Sequence, residues 1–279
     1  MVTIKVKNLK LNKYLINIDF LEQEAIGFWA QDEEIIDRFF DVIAGINKNG
    51  RSCFYKEENI YNNKDYFKTR IYLDYQKKYL STLKINYLEN LFSQRYKTTF
   101  DKNNFRSIAE TLDIRGETEI TNVFSYTKVG NTFVNYALTR SLNKSIIIIK
   151  NPTLNISIKS DIDYIVSGLT DKKRYTNMLI APNNLEVFKG KLDKVIFFSK
   201  YNKSILVAND KDNLIVINAQ PEEIHHYADS IITHYATSTI LLNNIPKISL
   251  RNLQKAYICK MIPIYQIDKL LLGGNNEKG

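Results

Sequence analysis

Apolar residues recur with a period of two at the start of the chain. Val2, Ile4 and Val6, then Leu15, Ile16, Ile18 and Phe20, predict two strands of a small β layer. Glu24 to Trp29 is nearly all apolar and reads as a buried strand. Ile35, Ile36, Phe39, Phe40, Val42 and Ile43 then fit one face of a helix, which Ala44-Gly45 closes with a glycine C-cap. Ser52 to Tyr55, followed by Ile60, suggest a short strand pair. Residues 70–92 begin as a strand, turn after Gln76 and continue as a helix over about 84–92. Spacing through 93–142 is mostly helical, with Ile108, Leu112 and Ile114 as core positions. SIIIIKNPTLNIS (145–157) predicts a buried strand stopped by Pro152. A helix at 158–168, a strand and turn at 177–184, a short helix at 185–192 and a strand at 194–200 follow. Strands apolar on both faces, alternating with helices, predict an α/β protein with a largely parallel sheet. Past residue 200 the text changes: Ser204 to Val207 and Leu214 to Ile217 read as a hairpin around DKDN. PEEIHHYADSIITHYATS reads as a helix with Pro221 at its start, so 201–279 predicts a small α+β appendage. The terminal GGNNEKG reads as disordered, and no internal repeat is visible.

The turn between the Glu24–Trp29 strand and its helix is where a phosphate-binding loop would sit, with backbone N–H groups and the helix dipole facing an anion. Such a loop, G-x-x-x-x-G-K-[ST], needs small residues for close approach, a lysine for charge and a hydroxyl for Mg²⁺. Here Ala30 and Ile35 stand at the glycine positions, Ile36 at the lysine and Asp37 at the hydroxyl, followed by Arg38. Asp32, Glu33 and Glu34 bring the acidic side chains to four, where a nucleotide would need cations. Asp32 fits a helix N-cap, with Glu33 and Glu34 complementing the dipole. Taken alone, the stretch also fits an ordinary strand–turn–helix that never held a nucleotide.

A length of 279 residues admits one large α/β domain with an accessory segment, or two small domains. No apolar run is long enough to span a bilayer, and MVTIKVKNLKL is unlike a signal peptide. Cys53 and Cys259 lack metal-site spacing, which fits a reduced, cytoplasmic compartment. The net charge of +9 favours an acidic partner, such as an anionic membrane face or nucleic acid. The charges are scattered rather than blocked, so this signal weighs lightly. His225, His226 and His234 are spaced poorly for a metal site and are expected on the surface of a helix.

Five stretches then align in order. EAIGFWAQDEEIIDRFFDVIAG gives the strand, loop and helix of a phosphate-loop region, and YLDYQKKYLSTLKINYLENL places Gln76 at a glutamine-loop position. KVGNTFVNYALTRSL keeps Gly130 of a signature motif, followed by Asn131, but has Val129 at its serine, so the signature is degenerate. SIIIIKNPTLNIS gives a Walker B strand, and MLIAPNNLEVFKGKLDKVIFF a histidine-loop strand, helix and next strand. Together, over about residues 2–200, they resemble the ATP-binding cassette, the nucleotide-binding subunit of ABC transporters. The resemblance implies an ABC-type, P-loop NTPase-like core with a mostly parallel sheet, an N-terminal antiparallel β layer and a helical subdomain at about 77–142. It implies a domain of 1–200 followed by the accessory segment at 201–279.

The chemistry the family uses is missing. Its Walker B aspartate and catalytic glutamate fall on Lys150 and Asn151, its loop histidine on Asn183 and its D-loop aspartate on Ser157. Phosphoryl transfer rests on positioning and charge stabilisation, so these losses together imply a pseudoenzyme with no cofactor and no bound metal. In the family the residues at Asp37 and Lys150 converge on one Mg²⁺. Their opposite charges here predict an ion pair, with Glu34 as a further candidate, that plugs the metal position. The bland alternative is a Lys150 that snorkels to solvent. The resemblance implies a peripheral protein on the cytoplasmic membrane face, docking on a permease subunit and pairing with an active ATPase subunit or a second copy. Tyr72, Tyr75, Gln76, Tyr79 and Tyr87 could line the docking groove, or the tyrosines could pack the helical subdomain. The rival readings are a soluble regulatory or immunity-type binding protein and a weak ATP-binding ATPase. Nucleic acid is not expected as a partner.

Overall fold

The computed structural model describes residues 1–77, 99–112 and 127–273. The helix expected at 84–92, Ile114, Tyr79, Tyr87 and the terminal GNNEKG lie outside them. An N-terminal antiparallel sheet is formed by β1 (Val2–Leu11), β2 (Tyr14–Leu21), β4 (Cys53–Tyr55) and β5 (Glu58–Asn59), in the order β2-β1-β4-β5. The central sheet contains β3 (Glu24–Trp29), β6 (Arg70–Asp74), β7 (Ile146–Lys150), β8 (Asn177–Ala181), β9 (Lys194–Ser199) and β10 (Ser204–Asn209), in the order β10-β9-β3-β8-β7-β6. Its pairs are parallel except β9 with β10. The α/β expectation therefore holds.

Residues of the inner strands alternate between two cores, because successive side chains on a strand point to opposite faces. Ile26, Phe28, Ile146, Ile148, Leu179 and Ile196 pack against α1 (Glu33–Ile43) and the N-terminal sheet. Ile147, Ile149, Met178, Ile180, Val195 and Phe197 pack on the other face. Past the short α2 (Lys64–Thr69), they meet there the helices α3 (Lys102–Thr111), α4 (Lys128–Ser141) and α5 (Lys159–Leu169), which α6 (Lys247–Ala256) follows in the chain. The apolar stripe of α1 is buried in full: Ile35, Ile36, Phe39, Phe40, Val42 and Ile43. Gly45 ends that helix in the left-handed region (φ 72°), its N–H donating to the Val42 carbonyl while Ile46 N–H reaches Asp41. A Cβ at Gly45 would lie 2.9 Å from the Phe67 ring and 3.2 Å from the Ile60 carbonyl oxygen. Gly45→Ala is expected to cost about 2–3 kcal/mol, the left-handed backbone alone costing about 1–2. A urea-unfolding midpoint unchanged from the parent would contradict this.

Three expectations for the tail are corrected. β10 pairs with β9 instead of forming a hairpin with β11 (Asn213–Ile217). β11 joins a third sheet, in the order β12-β13-β11-β14, with β12 (Ile231–Tyr235), β13 (Ser238–Leu242) and β14 (Cys259–Pro263). The segment read as a helix is a 3-10 turn at His225–Ser230 followed by the β12–β13 hairpin, with Ala236 at φ 53° in its turn. β-Branched Ile231, Ile232, Thr233, Thr239 and Ile240 favour strands there. His234 consequently sits on a strand, its Nδ1 2.9 Å from Thr239 Oγ1. The short helix expected at 185–192 is a 3-10 turn at Leu185–Phe188. Leu214, Ile232, Ile240, Leu242 and Ile262 share a core with β7 and β8, so the third sheet packs onto the main body.

Candidate functional site

The C-terminal ends of β3, β6, β7 and β8 meet at the turn that precedes α1. Asp32 caps that helix, its carboxylate accepting from Glu34 N–H at 3.1 Å. Glu33 and Glu34 are exposed in the first turn, and Ala30 is half-buried at the rim. Ile35 and Ile36 are buried, so the positions that would need a glycine and a lysine hold core side chains. Gln31 accepts a hydrogen bond from the buried Thr233 hydroxyl of β12, which ties the turn to the third sheet.

Parallel register sets Lys150, the last residue of β7, beside Asp74 of β6 and Ala181 of β8. The lysine side chain is 8% exposed, its ammonium contacts the Asp37 carboxylate, and Asp74 Oδ2 lies 4.0 Å away. The structure thus brings Lys150 and Asp37 together across 113 residues. Glu34 does not join them: it pairs with Arg38 at 2.5 Å, and Arg38 also donates to Asn12 Oδ1 at 2.6 Å. Burial pushes Lys150 below the usual lysine range, and the nearby Glu33 carboxylate opposes that shift. The Asp37 and Asp74 carboxylates beside it stabilise the ammonium in its charged form.

Asp74, which sequence reasoning passed over, is 5% exposed. Its Oδ1 accepts from Asn151 Nδ2 at 3.1 Å and from Gln76 N–H at 3.1 Å. Asn151 adopts a left-handed backbone (φ 53°), and its N–H donates to the Ala181 carbonyl at 2.9 Å. Asn183 Oδ1 accepts from the Thr153 hydroxyl at 3.1 Å and from its N–H at 3.3 Å. Ser157 is exposed. A network of this kind locks a strand end in place.

A cleft of about 230 Å³ lies over these residues, between Trp29, Gln31 and Glu33 on one side and Lys150, Asn151 and Asn183 on the other. Small-molecule sites typically hold about 300–1,000 Å³. A helix beyond β14 helps to close it. Asp268, on the helix α7 (Ile267–Gly273), accepts from Trp29 Nε1 and from Leu185 N–H, both at 2.8 Å, and Leu271 enters the lining. Lys269 pairs with Glu186 at 2.8 Å beside it. Nothing in the spacing of Asp268 signals this contact, which joins residues 239 apart. The donor set does not fit Mg²⁺, since the Lys150 ammonium already stands between the carboxylates that a cation would need. Among the described residues, no group of three His, Cys, Asp or Glu side chains could hold a metal.

Tyr75 is 1% exposed, its hydroxyl 2.8 Å from Thr139 Oγ1, so it is a core residue and not part of a groove. Tyr72 is half-buried against Phe40, and Gln76 is exposed. Val129 is half-buried at the start of α4, while Gly130 and Asn131 are buried. The Asn131 amide donates to the Tyr75 carbonyl at 2.8 Å, and Asn135 reaches the Lys77 carbonyl at 3.1 Å. Asn131 therefore serves its own chain and is not free for a partner.

No protein-family profile matches the sequence, and no curated protein does. Solved structures do match. The chain is similar to cbiO1 from Clostridium perfringens, part of the ABC transporter complex cbiONQ, at 13% identity and TM-score 0.57, over 75% of this chain and 89% of that one. It is similar to an ATP-binding subunit of an ABC transporter at 13% identity and TM-score 0.60, over 74% and 90%. A dimeric ATP-binding cassette in a post-hydrolysis state with ADP and phosphate matches at 13% identity and TM-score 0.56, over 75% and 99%. At such identities the likeness is one of fold, and the fold is that of the nucleotide-binding cassette of ABC transporters.

Proposed function

We propose that this chain is a catalytically inactive ABC-type cassette that works by docking rather than by hydrolysing ATP. The observation that carries the reading is Lys150, which sets an ammonium between Asp37 and Asp74 where the fold's ATPases need a divalent cation. Without the cation, the phosphate-loop lysine and a base, little transition-state stabilisation remains. The partner of this reading is a membrane permease subunit on the cytoplasmic face, with or without an active ATPase subunit. Its support is the fold shared with transporter subunits such as cbiO1.

The test is co-purification of the tagged full chain from gently solubilised membranes, with partners identified by mass spectrometry. Recovery of a multi-pass permease in stoichiometric amount is the expected result. Recovery of soluble proteins alone would overturn the docking and favour the second reading, a soluble regulatory protein on the same fold. The burial of Tyr75 favours that second reading, since it removes one aromatic from the expected permease groove.

A further inference from the structure

The end of the central sheet opposite Lys150 carries a second cavity, of about 400 Å³, where the chain leaves α4 and enters β7. Ser141, the last residue of α4, lines it. It is 2% exposed, and its Oγ has no hydrogen-bond partner. A buried hydroxyl without a partner is costly, and a bound water or ion is one of the things that can satisfy it.

Lys144, 9% exposed, also lines the cavity and donates to the Lys68 carbonyl at 2.5 Å. No described carboxylate pairs with it, and an ammonium has three donors, so capacity remains. Burial and then the positive charge of Arg70 push Lys144 below the usual lysine range. Arg70 itself has a buried Nε with no partner. Arg174 adds a second cation to the lining, with one donor used on the Arg140 carbonyl, and Thr99 and Ser145 add hydroxyls. Asp101 brings a carboxylate, but it caps α3 by accepting from Asn104 N–H at 2.9 Å. Two cations, three hydroxyls and one engaged carboxylate form a donor set suited to a tetrahedral oxyanion.

We propose that this cavity binds a phosphate group, supplied as the free anion or as the head of a phosphomonoester lipid. The site is at the other end of the sheet from the Lys150 cleft and stands whether or not that cleft is inactive.

The experiment is calorimetric titration of the full chain with inorganic phosphate at constant ionic strength, beside thermal unfolding with and without phosphate. Saturable binding is expected, weakened at least tenfold in Lys144→Met. Ser141→Ala is expected to raise the melting temperature without phosphate, since it removes the orphaned hydroxyl, and to shrink the rise that phosphate produces. That pair of shifts does not follow from loss of packing, and it decides the matter should Lys144→Met fail to fold. Sedimentation with phosphatidylcholine vesicles, with and without phosphatidic acid, separates the sources: binding that needs both phosphatidic acid and Lys144 assigns the lipid head. Phosphate binding that both variants leave unchanged would overturn the proposal. So would the absence of phosphate binding together with the absence of Lys144-dependent vesicle binding.

Discussion

Lys150→Met is expected to lower the melting temperature by roughly 6–12 °C, from a loss of about 3 kcal/mol at about 2–4 °C per kcal/mol for a chain of this size. The loss arises because Asp74 stays buried at 5% exposure while the Lys150 ammonium 4.0 Å from it is gone. Breaking a buried pair from one side typically costs about 3–5 kcal/mol, and the lower end applies because Asp37 is 49% exposed. For the same reason Asp37→Asn alone is expected to cost about 1 kcal/mol, as a solvated partner does. Lys150→Met combined with Asp74→Asn should recover most of the loss: the buried charge disappears while an acceptor for Asn151 and Gln76 remains. Thermal unfolding of the four proteins checks this. A Lys150→Met variant as stable as the parent would mean that the lysine merely extends to solvent and plugs nothing.

Asp268→Ala is expected to release α7 from the cleft and to cost about 3–6 kcal/mol, from two hydrogen bonds to a charged acceptor at about 1.5–3 each. It leaves Trp29 Nε1 and Leu185 N–H without their acceptor. Trp29 is the only tryptophan and is 6% exposed, so all tryptophan fluorescence comes from this position and responds to the loss of this contact. The emission should shift to the red and acrylamide quenching should rise, while far-ultraviolet dichroism stays near that of the parent. Unchanged quenching would show that α7 does not cover the tryptophan.

How much of this was legible in the chain depended on distance. The central strands were readable because a parallel strand buried on both faces is an unbroken apolar run, as in Ile146–Lys150. The stripe on α1 was readable because its period is local. Lys150 and Asp37 could be paired only through the resemblance, which put both at one metal position. Asp74 escaped notice because its role exists only in the register that sets it beside Lys150. Asp268 escaped because its partners are Trp29 and Leu185, far away in sequence. The helix assigned after Pro221 failed because its charged start resembles a helix N-terminus, while the β-branched residues behind it pair as β12 and β13. Tyr75 takes the packing alternative because, one residue past β6, it continues the alternation of Ile71 and Leu73 onto the core face, against Thr139.

The most direct test of the central claim is a titration of the full chain with Mg²⁺–ATP, followed by Trp29 fluorescence and by thermal unfolding. Trp29 lines the cleft, so a nucleotide entering it would change the emission. A ligand that binds the folded state alone stabilises it by about 2.7 kcal/mol at a hundred times its Kd, a shift easily seen. The account predicts no change in either signal up to millimolar ATP, with or without Mg²⁺. A saturable, Mg²⁺-dependent rise in melting temperature accompanied by a change in Trp29 emission would contradict it, and would make the chain a nucleotide-binding cassette in function as well as in fold.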